Sequence, residues 1–136
     1  MYPAELIKPM REDLTNQGFK ELHTSEAVEE ALNQPGTTLM VVNSVCGCAA
    51  ANARPGANMS IQNSKKPDHL VTVFAGVDKD AVETARNHMV PFPPSSPAIA
   101  LFKDGELVHM LERHHIEGRS AEIIADNLKN AYNEYC

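Results

Sequence analysis

The chain has 136 residues, a formal net charge of −6 and 43% apolar residues, so we expect a single globular domain over residues 1–136. The acidic balance argues against nucleic acid or an anionic membrane as a partner, and no apolar run approaches the roughly 20 residues of a membrane span. Three cysteines do not make a secreted disulfide framework, and no secretory signal is visible, so we expect a cytoplasmic protein.

Apolar periodicity and turn residues divide the chain into alternating helices and strands. Apolar residues three and four apart predict helices, and runs rich in β-branched residues predict strands. In chain order we predict helix 4–18, strand 19–23, helix 26–32, strand 37–45, helix 46–62, strand 69–77, helix 79–89, strand 98–103, strand 106–112 and helix 117–136.

Capping and turn residues support these boundaries. The candidate N-caps are Thr24 or Ser25, Asp78 and Ser120. Pro55 removes one backbone hydrogen bond and should bend helix 46–62. Asp104-Gly105 between two apolar runs predicts a hairpin.

This order of elements predicts an α/β fold. Strands separated by helices pair as parallel neighbours, and the final hairpin adds an antiparallel edge to the sheet. The run TTLMVVNSV lacks clean alternation, which indicates a strand buried on both faces. We therefore expect a mixed central sheet with helices on both faces.

Two of the cysteines flank a single glycine where a buried strand gives way to a helix. Cys46 lies at the first turn of that helix, where free backbone N–H groups and the helix dipole favour a negative charge. A thiol there has a lowered pKa, and the thiolate is the attacking species. We therefore predict that Cys46 is a nucleophile and that Cys48 is the resolving thiol.

The one-residue spacing also bears on the disulfide that the pair would form. Residues two apart on a helix point to nearly opposite sides, so closing Cys46 to Cys48 requires the first turn to unwind. Gly47 tolerates the unusual backbone angles that this requires. We predict a strained disulfide that is readily reduced.

Two other interpretations of the cysteine pair stay open. The cysteines could be inert core residues, since buried cysteines are common. They could also bind a metal, because six histidines, among them His114 and His115, offer nitrogen ligands. No second cysteine pair exists, and adjacent histidines lack zinc-finger spacing, so we expect no metal. We expect the histidine pair to be a solvated loop feature or an electrostatic neighbour of the thiols.

Several segments follow one another along essentially the whole chain, namely MREDLTNQGF, VVNSVCGCAA, ARPG, TVFAGVDK, PSSPAIAL, RHHIEG and the terminal cysteine. In these segments and in their order the chain resembles the bacilliredoxins. The resemblance implies a thioredoxin-like three-layer sandwich with an extra N-terminal helix. Thioredoxins use Cys-x-x-Cys, usually after a tryptophan. This chain has Cys-x-Cys after Val45 and no tryptophan, which makes a general dithiol reductase less fitting.

The resemblance also implies an activity. Bacilliredoxins are thought to remove bacillithiol from S-bacillithiolated cytosolic proteins, so the implied partners are those clients and a low-molecular-weight thiol. Cys46 would attack the mixed disulfide and retain bacillithiol, and Cys48 or a second bacillithiol would restore the enzyme. By the same resemblance Pro97 would follow a cis peptide bond, and Ser96 would offer backbone groups to the substrate. No bound cofactor is implied, because bacillithiol is a redox co-substrate.

Further residues have supporting roles or none. Three basic residues on or after the active helix are candidates to attract the carboxylates of a malate-bearing thiol, namely Arg54, Lys65 and Lys66. Asn43 and Ser44 could hydrogen-bond the thiolate, or serve only in a turn. Cys136 is a candidate third redox thiol, within one chain or between chains. A disulfide isomerase or general oxidoreductase, or a non-catalytic redox sensor or metal-binding adaptor, stays an alternative to bacillithiol removal.

Overall fold

The computed structural model describes residues 2–136. Its elements, in chain order, are α1 (Ala4–Thr15), β1 (Lys20–Glu21), α2 (Ser25–Leu32), β2 (Thr37–Asn43), a π-helical segment (Ala49–Ala53), α3 (Arg54–Ser60), β3 (His69–Phe74), α4 (Lys79–Asn87), β4 (Ala98–Lys103), β5 (Glu106–Leu111), α5 (Arg113–Ile116) and α6 (Ala121–Tyr135). Each predicted strand and helix has a counterpart in this order. The short helix α5 was not predicted.

The five strands form one mixed sheet in the order β1–β3–β2–β4–β5. β3 is parallel to both β1 and β2, whereas β4 is antiparallel to β2 and to β5. β2 therefore has a neighbour on each side, and every residue of β2 is buried. The predicted mixed sheet, and the strand buried on both faces, are confirmed.

The hairpin between β4 and β5 turns at the predicted pair. Asp104 and Gly105 have φ angles of 51° and 85°, and positive φ at both central residues is characteristic of a two-residue type I′ turn. The Asp104 carboxylate also accepts a hydrogen bond of 2.8 Å from the backbone N–H of Gly36. This bond ties the hairpin to the turn before β2.

Two apolar cores lie on opposite faces of the sheet. Successive side chains of β2 alternate between the two faces, with Leu39 and Val41 in one core and Met40 and Val42 in the other. The first core is completed by buried residues of α1, α3 and α6, namely Leu14, Ala57, Ile124, Leu128 and Tyr132. The second is completed by residues of α2 and α4, namely Val28, Leu32, Ala81, Val82 and Ala85. Helices thus cover both faces, as predicted.

The helix after β2 changes its hydrogen-bond register before the proline. Ala49–Ala53 is π-helical, and the backbone N–H of Arg54 donates to the carbonyl of Ala49, five residues earlier. Pro55 then lies in the first turn of α3, where its missing N–H costs little. The bend predicted for helix 46–62 is therefore resolved as a π-helical segment followed by an α-helix. Such π-helical turns are frequent at functional sites.

Asp78 stands at the N-cap of α4, as predicted, but its carboxylate does not cap that helix. The carboxylate instead accepts hydrogen bonds from Arg11, His23 and the backbone N–H of Phe74. Burial alone would raise the pKa of Asp78, but the hydrogen bonds from Arg11 and His23 lower it below its ordinary value. The Arg11 guanidinium offers the carboxylate two N–H donors and a positive charge, which favours this orientation over a bond to a backbone N–H of α4.

The short helix α5 occupies the place where the histidine pair was expected in a loop. Glu112 and His115 form a capping box at its N-terminus, in which each side chain accepts from the other's backbone N–H. His114 is exposed and His115 is partly exposed. The prediction of a loop was wrong. A helix of one turn is too short to show apolar periodicity in the sequence, and this one is stabilised by the reciprocal capping bonds.

Candidate active site

The Cys-Gly-Cys motif follows the carboxyl end of the central strand β2. The carbonyl oxygen of Cys46 accepts hydrogen bonds from the backbone N–H groups of Ala49 and Ala50, at 3.0 and 3.3 Å. The Sγ atom of Cys46 accepts a bond of 3.2 Å from the backbone N–H of Cys48. Cys46 thus stands where the helical segment begins, as the sequence predicted, with a backbone donor directed at its sulfur. Both cysteines are free thiols and partly buried.

The two thiols are electrostatically unequal. Burial alone would raise the pKa of Cys46, but hydrogen bonds from the Cys48 thiol and from the backbone of Cys48 and Ala49 lower it. The positive charge of Arg113 lowers the pKa of Cys46 further, so that it lies below the ordinary value. The pKa of Cys48 is raised, first because its thiol donates to Cys46 and then because of burial. When the pair loses one proton, the thiolate is therefore Cys46 and the thiol is Cys48.

Arg113 and Glu117 lie beside the two sulfurs. The Cys48 thiol donates to the Glu117 carboxylate at 3.5 Å between Sγ and Oε2. The same Oε2 accepts a bond of 2.8 Å from Nε of Arg113, and Nη1 of Arg113 lies 3.2 Å from the carbonyl oxygen of Ser96. Arg113 thus joins Glu117 to the backbone of Ser96, and the carboxylate is a second acceptor, besides Cys46, for the thiol hydrogen of Cys48.

Arg54 is not available to a ligand, contrary to the sequence interpretation. Its side chain is only 3% exposed and donates to the side chain of Asn43, to the carbonyl of Ser44 and to Asp13 on α1. Ser44 Oγ in turn accepts from the backbone N–H of Cys46 at 3.2 Å. Arg54, Asn43 and Ser44 therefore hold the segment that leads to Cys46, and their hydrogen bonds fix its backbone.

The two lysines proposed with Arg54 lie elsewhere. Lys65 and Lys66 are exposed, and Nζ of Lys65 lies 3.4 Å from the carbonyl oxygen of Asn133 on α6. Lys65 acts on the pKa of Cys136, and it has no such effect on Cys46 or Cys48. The structure does not bring these lysines to the cysteine pair.

An open depression of about 370 Å³ adjoins Cys46. Its lining includes Cys46, Ser96, Arg86 and Arg113. The Ser96–Pro97 peptide bond is cis, as the family resemblance implies. The structure therefore brings Ser96 to the same depression as Cys46, and two arginines are among the residues that line it.

Cys136 lies at the other end of the sheet from Cys46. Its thiol is within interaction distance of Thr37, Asp68 and Lys103, at the amino end of β2. Burial raises the pKa of Cys136, although a hydrogen bond with Thr37 opposes this. Seven residues of extended strand separate the two ends of β2 by about 20 Å. Cys136 therefore does not reach Cys46 within one chain, and its role as a third redox thiol stays a prediction for contacts between chains.

One group of potential metal ligands is found among residues 2–136, namely Glu112, His114 and His115. Nδ1 of His115 already accepts a bond of 3.0 Å from the backbone N–H of Glu112, so only its other ring nitrogen is free for a metal. The rings of His114 and His115 lie 4.0 Å apart between centroids. This group includes neither cysteine, so the structure does not join the histidine pair and the thiols into one metal site.

Known proteins resemble this chain along its whole length. A protein-family model described as disulphide isomerase matches residues 2–136. A bacilliredoxin of Cytophaga hutchinsonii is 62% identical over 134 residues, which cover 98% of this chain and 99% of that protein. The chain belongs to the bacilliredoxin family. A bacilliredoxin of Halalkalibacterium halodurans is 53% identical over 136 residues, covering 99% of this chain and 94% of that protein.

Membership of the bacilliredoxin family makes the chain a thiol–disulfide oxidoreductase, the class predicted from the Cys-Gly-Cys motif. Solved thioredoxins have a similar fold. Mitochondrial thioredoxin 3 of Saccharomyces cerevisiae has a TM-score of 0.59 at 16% identity and covers 90% of this chain and 98% of its own. A mutant thioredoxin of Halobacterium salinarum has a TM-score of 0.61 at 16% identity, covering 88% and 91%. The predicted thioredoxin-like fold is confirmed. No helix within residues 2–136 is long and apolar enough to span a bilayer.

The sequence interpretation did not assign roles to three residues at this site, namely Arg86, Arg113 and Glu117. Arg113 and Glu117 belong to the segment RHHIEG, which is part of the family resemblance. That resemblance was the signal that could have identified these two residues as functional. Arg86 lies on the amphipathic helix α4 with no local feature to distinguish it from a surface charge. Only the packing of α4 beside the end of β2 brings it to the cavity.

Proposed function

We propose that this chain acts in the cytoplasm as one thioredoxin-like domain, residues 1–136, and removes bacillithiol from S-bacillithiolated proteins. Cys46 is the nucleophile and Cys48 is the resolving thiol. The observation that carries the proposal is the Cys46 sulfur, which accepts a backbone hydrogen bond of 3.2 Å and faces an open cavity. The name of the relatives, bacilliredoxin, supports bacillithiol as the small thiol.

The first step is a thiol–disulfide exchange. The Cys46 thiolate attacks the bacillithiol sulfur of the mixed disulfide, and a bond forms between Sγ of Cys46 and that sulfur. The disulfide bond to the client breaks, and the client's thiolate leaves and takes a proton from solvent. No net oxidation occurs, because one disulfide replaces another. The lowered pKa of Cys46 supports this role, since it raises the thiolate fraction above that of an unperturbed cysteine at the same pH.

The second step removes bacillithiol from Cys46 by one of two routes. A second bacillithiol thiolate can attack the bacillithiol sulfur of the adduct, which forms bacillithiol disulfide and releases the Cys46 thiolate. Alternatively, Cys48 loses its proton and attacks Sγ of Cys46, which releases bacillithiol and closes the Cys46–Cys48 disulfide; two further bacillithiol molecules then reduce that disulfide and leave as bacillithiol disulfide. The Glu117 carboxylate, which accepts from the Cys48 thiol at 3.5 Å, is the nearest acceptor for that proton.

Supporting residues position the reacting groups. Gly47 gives the backbone freedom that closure of the Cys46–Cys48 disulfide requires. Ser96 and Pro97 form the wall against which an extended substrate would lie, and the shared lining of Cys46 and Ser96 supports this role. The reaction requires no bound cofactor or metal, because the cysteines are both nucleophile and redox centre.

Disulfide isomerase activity is the second candidate function. It is favoured by the description of the matching family model, disulphide isomerase. An isomerase also begins with a thiolate that attacks a disulfide, so Cys46 would serve both activities. The two candidates differ in the disulfide that the site accepts.

One comparison tests both candidates. A bacillithiolated client and a protein with scrambled disulfides are offered to the wild type, to Cys46→Ala and to Cys48→Ala. We expect Cys46→Ala to abolish removal of bacillithiol, whereas Cys48→Ala keeps it when free bacillithiol is present, because bacillithiol can replace the resolving thiol.

Three results would contradict the proposal or redirect it. Recovery of the scrambled protein without removal of bacillithiol would establish the isomerase instead. Activity that survives in both variants would exclude thiol exchange at this motif and leave a sensor or adaptor. Loss of activity in Cys48→Ala at saturating bacillithiol would exclude the route through a second bacillithiol.

A further inference from the structure

The cavity beside Cys46 contains an arginine with no counter-charge. Arg86 extends from α4 and lines the depression that also contains Cys46 and Ser96. Its Nε atom is buried and has no hydrogen-bond partner among residues 2–136. None of the ion pairs within these residues includes Arg86.

The neighbouring arginines do not share this property. Arg11 is paired with Asp78, Arg54 with Asp13, and Arg113 with Glu117. Arg86 is half-buried, and burial lowers its pKa, because a guanidinium withdrawn from water loses hydration without gaining a partner. An unpaired, desolvated donor group is costly, so an anion that enters this cavity gains a strong interaction there.

We propose that Arg86 binds a carboxylate of the low-molecular-weight thiol whose disulfide Cys46 attacks. A guanidinium offers two parallel N–H donors that match a carboxylate, which makes it a selective partner for this group. The cavity of about 370 Å³ lies within the range of about 300 to 1,000 Å³ that is typical of small-molecule sites. This inference rests on the proposed function only in identifying the thiol as bacillithiol, whose malate supplies the carboxylates.

Arg86 takes the carboxylate-binding role that the sequence interpretation gave to three other basic residues. Arg54 is internal to the fold. Lys65 and Lys66 precede the amino end of β3, whereas Cys46 follows the carboxyl end of the parallel strand β2. Arg113 also lines the cavity, but its Nε and Nη1 atoms are already engaged with Glu117 and Ser96. Arg86 is therefore the cation lining the cavity whose charge has no ion-pair partner among residues 2–136.

Alkylation of Cys46 by two reagents of similar size tests the site without bacillithiol. Iodoacetate is an anion and iodoacetamide is neutral, and both react with the same thiolate in a protein whose other two cysteines are serine. The ratio of the two rate constants removes any effect of a variant on the pKa of Cys46. We expect Arg86→Gln to lower the ratio of iodoacetate to iodoacetamide rates by at least about threefold, because the attracting charge is lost.

Two further variants make this result specific. Arg86→Lys keeps the charge and should retain most of the preference for iodoacetate. Lys65→Gln removes one exposed positive charge far from the cavity and should leave the ratio unchanged. A ratio in Arg86→Gln equal to that of the parent protein, or a fall of the same size in Lys65→Gln, would overturn the inference.

A second experiment connects the cavity to the proposed substrate. A client carrying bacillithiol is compared with the same client carrying an analogue in which a methyl group replaces malate. We expect Arg86→Gln to raise KM for the bacillithiolated client several-fold more than KM for the analogue. If the iodoacetate preference depends on Arg86 but the wild type does not distinguish the two clients, the anion site stands and bacillithiol is not its ligand.

Discussion

The Sγ atom of Cys48 lies 3.5 Å from Oε2 of Glu117, although the two residues are 69 positions apart in the sequence. The carboxylate is itself bound to Arg113, and the hydrogen bond from Arg113 holds the pKa of Glu117 below its ordinary value. Glu117 is therefore ionised at neutral pH and acts as an acceptor for the proton of Cys48. The hydrogen bond to Cys46 raises the pKa of Cys48 most, followed by burial, and the Glu117 contact adds to that effect.

Glu117→Gln should lower the pKa of Cys48. The carboxylate raises that pKa because it accepts a hydrogen bond from the protonated thiol, and a neutral amide holds the proton less strongly. The measurement is the pH dependence of Cys48 alkylation in a Cys46→Ser protein. Glu134→Gln, on the exposed face of α6, is the matched control and should have no effect. An identical midpoint in Glu117→Gln and in the control would show that Glu117 does not hold the proton.

Arg113→Gln should raise the pKa of Cys46. Arg113 lowers this pKa through its charge, so the wild-type thiolate forms at a lower pH than that of an unperturbed cysteine. Alkylation of Cys46 should therefore reach its plateau at a higher pH in the variant than in the wild type. The profile is measured with iodoacetamide, which carries no charge. A midpoint of the pH profile that falls, or stays the same, would show that Arg113 does not lower the pKa of Cys46.

Two glycines should respond to alanine in opposite directions. A Cβ added to Gly47 meets no atom within 4 Å, and alanine favours a helical turn, so Gly47→Ala should raise the free energy of unfolding of the reduced protein by up to about 1 kcal/mol. A Cβ added to Gly56 would lie 2.6 Å from Cγ2 of Ile124, so Gly56→Ala must separate α3 from α6. We expect that substitution to lower the free energy of unfolding by about 1 to 3 kcal/mol.

Chemical denaturation under reducing conditions measures both changes. Ile124→Ala removes Cγ2, the atom nearest to the new Cβ, although Cβ of residue 124 stays at 2.8 Å. Because part of the clash is relieved, the double variant Gly56→Ala/Ile124→Ala should lose less stability than the sum of the two single variants. Strict additivity in this pair would mean that Gly56 is not required for the close approach of the two helices.

Arg54→Met should destabilise the protein much more than removal of its exposed partner. Arg54 is 3% exposed, and its loss would take a charged donor from the carbonyl of Ser44 and from the side-chain oxygen of Asn43, which would keep only the backbone N–H of Ser44. We expect the free energy of unfolding to fall by about 2 to 4 kcal/mol. Asp13→Asn removes only a partner that is 54% exposed, so its cost should stay below about 1 kcal/mol. Equal losses in the two variants would assign the effect to the surface ion pair instead of the buried bonds.

Cys136→Ser should leave the turnover of a single chain unchanged. The reason is that Cys136 lies near the amino end of β2, whereas Cys46 follows its carboxyl end. Removal of bacillithiol from a client is measured over a range of enzyme concentrations, with Cys48→Ser as the comparison. A loss of activity in Cys136→Ser that is independent of concentration would contradict this placement. A loss that grows with enzyme concentration would identify reaction between two chains.

The sequence was informative wherever neighbours along the chain decide the outcome. The lack of alternation in β2 predicted the burial of this strand on both faces. The pair Asp104-Gly105 predicted the turn between β4 and β5. The junction of strand and helix placed Cys46 beside backbone donors, so the direction of its pKa shift followed from local structure. These features depend on residues within one or two turns of each other, and periodicity and turn chemistry record such short-range relationships.

The surroundings of the sulfurs were decided by tertiary structure. The packing of α4 and α5 beside the end of β2 brings three side chains near Cys46 or Cys48, namely those of Glu117, Arg113 and Arg86. Arg54 points inward because Asn43 and Ser44 provide buried acceptors. A charged residue looks the same in the sequence whether it ends at the surface, in the interior or in a cavity. Its partner is chosen by three-dimensional proximity and by the cost of leaving a buried polar group unpaired, and neither is written in local sequence patterns.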